Sequence, residues 1–143
     1  MQTRIKNLQD LGVFAKKVAK DLRGGEVLGL IGDLGAGKTT FVQMLARHLG
    51  VHEAVKSPTF ILMQVFHTSK HHAVQQLCHV DAYRLKNVVE LDAIGFREYA
   101  GTPGTVTIVE WADRVPEIHT LPKYQELIFD FGKGEERRIV WDA

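Results

Sequence analysis

From Leu8 to Leu22 the apolar residues Leu8, Leu11, Phe14, Ala15, Val18, Ala19 and Leu22 recur at spacings of three and four, with Lys16, Lys17, Lys20 and Arg23 between them. That period lays one apolar stripe along an α-helix. Asn7 stands where a side-chain oxygen can cap its start, and Gly24-Gly25 ends it. The lysines read as its solvated face rather than as a binding patch. The pattern then changes. Glu26-Val27-Leu28-Gly29-Leu30-Ile31 is a short, mostly apolar run without alternation, which suits a strand buried on both faces of a parallel sheet. Thr40 to Leu49 returns to helical spacing, with Phe41, Leu45, Ala46 and Leu49 on one face and Gly50 placed to stop it.

Further along, Ser57-Pro58-Thr59 reads as a turn leading into the run Phe60 to Phe66. Val74 to Val80 returns antiparallel after a polar tip over Thr68 to His72, a hairpin-like excursion. A helical stretch around Val88 to Tyr99 is broken at Gly95, and Gly101-Thr102-Pro103-Gly104 resets the chain. The β-branched run Val106-Thr107-Ile108-Val109 forms a strand ending in Glu110. Tyr124 to Phe131 and Arg137 to Trp141, separated by Gly132 to Glu136, form a terminal antiparallel pair. The fold class expected from this pattern is α/β, a single domain over residues 1–143 with a central mixed, largely parallel sheet flanked by helices.

Composition narrows the function more than the fold. The 143 residues include 18 basic and 17 acidic side chains for a net charge of +1, so no electrostatic footprint argues for wrapping DNA or RNA directly. Cys78 is the only cysteine, which excludes an internal disulfide and is compatible with a reducing cytosol. The opening MQTRIKNLQD lacks an apolar h-region, and no apolar run approaches the roughly 20 residues of a membrane span. The expectation is a soluble, cytoplasmic protein with no membrane partner.

The chemistry lies between the first strand and the helix after it. Gly32 to Thr39 read GDLGAGKT, a complete G-x-x-x-x-G-K-[ST] loop, whose chance occurrence in a chain of this size is on the order of half a per cent. Strand, glycine loop and helix form the setting that motif requires, so the α/β domain is expected to be a single-domain P-loop NTPase fold. Its glycines allow backbone N–H groups to close around phosphate oxygens, so Asp33, Leu34, Gly35, Ala36, Gly37, Lys38, Thr39 and Thr40 are the expected nucleotide-binding residues. Lys38 would reach the β- and γ-phosphates, and the Thr39 hydroxyl would ligate Mg²⁺.

Hydrolysis needs more than this cradle. It requires the metal to be held from a second side and a water to be positioned for in-line attack. Glu110, ending an apolar strand, stands where a Walker B acid would, able to ligate Mg²⁺ or orient the nucleophile. Asp81 ends the other run and reads as a second acid near the metal or the attacking water, or else as a partner for Arg84. Thr59 occupies the chain position where a switch-like segment would sense the γ-phosphate, with a plain turn residue as the alternative. Arg84 is a candidate for charge stabilisation or for a structural ion pair. Trp111, next to Glu110, either reports on nucleotide or packs in the core. His67, His71, His72 and His79 bracket the hairpin, but no thiolate or carboxylate completes a recognisable metal-ligand spacing.

Taken in order, GDLGAGKTTF at Gly32 to Phe41, VKSPTF at Val55 to Phe60, HVDAYRL at His79 to Leu85, ELDAIGFREY at Glu90 to Tyr99 and VEWADRVP at Val109 to Pro116 resemble the TsaE family. This family, formerly called YjeE, comprises small bacterial ATPases of tRNA threonylcarbamoyladenosine biosynthesis. The resemblance implies that Gly35 to Lys38 hold a triphosphate, that Thr39 and Glu110 coordinate Mg²⁺, that Asp81 is a catalytically important acid, and that Ser57 to Thr59 form a switch-like loop. It further implies that adenine sits near the start of the first helix and the terminal strands, where Asn7 and Arg138 are the candidates. It implies an accessory role in which ATP hydrolysis drives a complex with TsaB and TsaD, which transfer threonylcarbamoyl to adenosine 37 of tRNA. The tRNA is then reached only indirectly. Arg97 departs from the family, which usually has an acid there, and Ala82 replaces a larger apolar residue. Two other classes share the loop: a small-molecule or nucleotide kinase, which commonly has an arginine-rich lid not seen here, and a GTP-dependent switch, whose usual N-K-x-D sequence the chain does not contain.

Overall fold

The structure is a computed structural model describing residues 1–56, 62–69, 73–132, 134 and 136–142. Among these, seven strands form one mixed sheet: β1 (Gln2–Ile5), β2 (Val27–Ile31), β3 (Met63–His67), β4 (Gln76–Asp81), β5 (Thr105–Glu110), β6 (Tyr124–Phe131) and β7 (Arg137–Asp142). Their spatial order is β1-β7-β6-β2-β5-β4-β3. Four helices accompany them: α1 (Leu8–Asp21), α2 (Lys38–His48), α3 (Val88–Ala93) and α4 (Phe96–Tyr99).

The sheet departs from the expectation of largely parallel pairing. Only the four central strands β6, β2, β5 and β4 run parallel to their neighbours, whereas β3, β7 and β1 add on antiparallel at the edges. Two of these edge pairings are the predicted hairpins. The third is β1, which the hydrophobic pattern did not reveal, because Gln2–Ile5 buries only Ile5 and owes its conformation to its partner β7.

Period and capping account for α1. Asn7 accepts a hydrogen bond from the Asp10 backbone N–H at 2.9 Å, while Asp10 accepts from the Lys6 N–H at 2.9 Å, so two exposed donors at the helix start are satisfied reciprocally. Leu11, Phe14, Ala15, Val18 and Ala19 are buried as the stripe requires. With α2 they cover one sheet face. Leu28, Leu30, Ile108, Leu127, Ile139 and Trp141 supply the sheet side of that core. Aromatic rings knit it together: Phe14 lies 5.7 Å from Phe41 and edge-on to Trp141 at 6.0 Å, and Phe41 meets Phe129 at 5.6 Å. The alternate residues Val27, Cys78, Val80 and Val109 face the opposite side and pack with Leu91, Phe96 and Ile118.

This arrangement positions the site. β2, β4 and β5 are parallel, so Ile31, Asp81 and Glu110 all end at one edge of the sheet, where α2 begins.

Candidate functional site

The loop that leaves β2 is shaped by three glycines. A Cβ on Gly32 would lie 2.6 Å from the Phe129 carbonyl oxygen, so only glycine fits between the end of β2 and β6. Gly35 (φ 78°) and Gly37 (φ 102°) adopt left-handed backbone with nothing within 4 Å of an added Cβ; conformation rather than space requires glycine there. The Ala36 N–H closes the turn onto the Asp33 carbonyl at 3.1 Å, and Gly37 caps the N-terminus of α2. The partial positive charge of that helix end faces a cavity of about 260 Å³, lined by residues 33–40 together with Asp81, Tyr83, Glu110 and Trp111.

Lys38 lies in this cavity's wall, 5% exposed. Its Nζ donates to the carbonyls of Gly32 and Asp33, the latter at 3.0 Å, and stands 3.9 Å above the Trp111 ring. Burial lowers its pKa, and the carboxylates of Glu110, Asp113, Asp33 and Asp81 partly oppose that shift. Thr39 Oγ1 donates to Glu110 Oε1 at 2.9 Å, joining the start of α2 to the end of β5. The second oxygen of Glu110 accepts from His79 Nε2 on β4 at 2.5 Å. Asp81 pairs in register with Glu110, and its Oδ1 accepts the Tyr83 N–H at 2.9 Å. Directly after Glu110, Trp111 adopts φ 61°, the left-handed region that costs a bulky residue about 1–3 kcal/mol and that clusters at functional sites. Its ring lies 4.9 Å from that of Tyr83, and Arg114 stacks 4.9 Å above Tyr83.

The donor chemistry fits Mg²⁺. A hydroxyl and a carboxylate oxygen, both hard ligands, meet at the cavity where the loop opens, and Mg²⁺ characteristically completes its shell with phosphate oxygens and water. Among the described residues no group of three His, Cys, Asp or Glu side chains is placed to hold a metal.

A second, larger cavity of about 760 Å³ lies on the other side of the loop and shares Gly35, Ala36, Gly37 and Thr40 with the first. Lys6, Asn7 and Gln9 line it from the start of α1, and Phe129, Arg137 and Ile139 from the sheet. Asn7 lines this cavity, with its Oδ1 occupied by the helix cap. Arg138 does not line it. Residues alternate across β7, so Arg137 faces the cavity, its guanidinium 4.3 Å over the Phe131 ring, while Arg138 points to the other face and pairs with Asp130 at 3.5 Å.

Asp33 to Thr40, Asp81, Glu110 and Trp111 therefore come together, and Ser57 and Thr59 lie outside the described residues, as do His71 and His72. Sequence reasoning missed Tyr83, Arg137 and the partnership of His79 with Glu110. The one available signal for the last was a polar residue within the apolar run Leu77 to Val80, two residues before the end of the strand.

The family model described as threonylcarbamoyl adenosine biosynthesis protein TsaE matches residues 5–139. The tRNA threonylcarbamoyladenosine biosynthesis protein TsaE of Bacillus subtilis is 35% identical over 144 residues, covering 100% of this chain and 85% of that protein. The protein of the same name from Treponema pallidum is 38% identical over 119 residues, 83% of this chain and 82% of its own length. The crystal structure of Bacillus subtilis YdiB superposes with a TM-score of 0.77 at 30% identity, covering 100% of this chain and 84% of YdiB. The matched span runs from Ile5 on β1 to Ile139 on β7 and so takes in the loop, the Thr39–Glu110 contact and both cavities; the chain belongs to the TsaE family of threonylcarbamoyl adenosine biosynthesis proteins.

Proposed function

We propose that this chain is a single-domain P-loop ATPase, dependent on Mg²⁺, that serves formation of threonylcarbamoyladenosine at position 37 of tRNA by acting on a complex of TsaB and TsaD. The observation that carries the reading is the 2.9 Å hydrogen bond from Thr39 to Glu110, which brings the two oxygen donors of a Mg²⁺ site together beside Lys38 and the amides of the loop. The family name supports the pathway, and the net charge of +1 supports a cytoplasmic component that meets tRNA through other proteins.

The roles follow from position. Backbone N–H groups of Gly35 to Thr39 and the α2 N-terminus bind the β-phosphate. Lys38 leaves the carbonyls of Gly32 and Asp33 to meet the β- and γ-phosphates, and the cavity lined by Asn7 and Arg137 takes the base and ribose. Thr39 and Glu110 hold Mg²⁺, which when bound neutralises the charge developing on the transferred phosphoryl group. Asp81, beside Glu110 and turned to the cavity, orients the attacking water.

The test joins chemistry to biology. Lys38→Ala is expected to lose nucleotide binding and Glu110→Ala to lose hydrolysis; retention of both at parental levels would refute the site. A pull-down with TsaB and TsaD is expected to capture the chain in a nucleotide-dependent way and to restore tRNA modification in vitro. Modification proceeding equally without the chain would refute the pathway assignment.

A further inference from the structure

Among the described residues, His79 is the one fully enclosed polar side chain at the site with no part in the chemistry above. It is 0% exposed, on β4. Its Nε2 donates to Glu110 Oε2 at 2.5 Å, whereas its Nδ1 makes no hydrogen bond. An imidazole sealed in an apolar core loses its hydration on both nitrogens, a cost that a purely space-filling residue would not carry. What the protein gains is at Glu110. That carboxylate is 3% exposed and has two protein donors, Thr39 on Oε1 and His79 on Oε2. The carboxylate could turn about its terminal torsion if only Thr39 held it, because such torsions are broad. With Oε2 pinned from the opposite side, its plane is set and Oε1 is directed at the hydroxyl.

We propose that His79 is a positioning residue, which through the Nε2 to Oε2 hydrogen bond holds the Glu110 carboxylate in the orientation that presents Oε1, with Thr39, to a divalent cation. This rests on the Mg²⁺ reading of Thr39 and Glu110. Partners that orient a metal-ligating side chain typically change metal affinity by about 10–100-fold when lost. The same hydrogen bond joins β4 to β5, so it also keeps Asp81 beside Glu110.

The test uses His79→Leu, which fills the space without a donor, and His79→Gln, whose Nε2 can reach the same carboxylate oxygen. Two quantities are measured on the full chain: affinity for β,γ-imido-ATP in excess chelator, and Mn²⁺ affinity of the nucleotide-bound protein by electron paramagnetic resonance. His79→Leu is expected to bind metal-free nucleotide within about twofold of the parent and to lose about tenfold or more in Mn²⁺ affinity; His79→Gln is expected to recover most of that loss. Parental Mn²⁺ affinity in His79→Leu overturns the proposal, as does an equal loss in both variants. Should the leucine variant fail to fold, His79→Asn replaces it, its amide being too short to reach Oε2, with the same expectations. Thr39→Val separates the two ideas. If the parent shows no nucleotide-linked Mn²⁺ binding, or Thr39→Val leaves it unchanged, the metal assignment itself falls and takes this proposal with it. If Thr39→Val weakens Mn²⁺ and the His79 variants do not, only the positioning role falls.

Discussion

In the nucleotide-free protein, valine at position 39 keeps the shape of threonine and deletes the hydroxyl that donates to Glu110 Oε1 at 2.9 Å. Glu110 is 3% exposed, so water does not readily take the vacant place. A hydrogen bond to a charged group contributes about 1.5–3 kcal/mol, and because His79 still serves the other oxygen the loss belongs near the lower end, about 2 kcal/mol. For a chain of this length each kcal/mol moves Tm by roughly 2–4 °C, giving a fall of about 4–8 °C. Urea unfolding without nucleotide provides the assay, with the midpoint falling at constant m. The cycle is completed with Glu110→Leu, which removes the acceptor and the charge together. In that background Thr39→Val costs at least about 1 kcal/mol less, because no buried carboxylate is left short of a donor. A Thr39→Val protein that melts within about 1 °C of the parent, or strict additivity of the two substitutions, refutes the contact on which the proposed metal site depends.

Three further outcomes are expected. Gly32→Ala forces a Cβ to within 2.6 Å of the Phe129 carbonyl and costs about 1–3 kcal/mol in the denaturant midpoint, an unchanged midpoint being the contrary result. Arg137→Ala weakens ATP binding severalfold by titration calorimetry while Arg138→Ala stays within about twofold, since about 1 kcal/mol is at stake only for the side chain that lines the cavity; equal effects contradict the register. Arg4, 2.8 Å from Glu136, holds that carboxyl below the usual glutamate range, so the pair adds stability above the unfolded glutamate pKa of about 4.3 and loses it as the pH falls through the lower folded value. The Tm difference between the parent and Arg4→Ala is therefore present at pH 7 and shrinks as the pH falls below the usual glutamate range, and a difference independent of pH would contradict it.

The parts legible in the sequence were those fixed by local period or by a short motif. Asn7 as a cap, the stripe from Leu11 to Ala19, the GDLGAGKT turn and a strand ending in Glu110 each depend on residues within a few positions of one another. The hairpin partner strands were found for the same reason. What escaped depends on pairing between distant segments. β1 carries a single buried residue and exists because β7 lies beside it. Arg137 and Arg138 have identical chemistry, and only the pairing of β7 with β6 decides which one faces the loop. His79 meets Glu110, 31 positions away, across the parallel pairing of β4 with β5, and no periodicity within β4 reports on its neighbour β5.

The larger cavity is bounded by Ile5 to Leu11 at one end of the described chain and by Phe129 to Ile139 at the other, with the GDLGAGKT loop between them. On a translating ribosome the loop and α2 emerge long before β7, yet β7 supplies one wall and pairs with β1, which emerged before either. A nascent chain can thus display the Lys38 loop while the wall opposite Asn7 is still missing. On the proposed reading of this cavity, tight nucleotide capture requires segments more than a hundred residues apart to have closed on one another, which would make binding a report that folding has run through to β7.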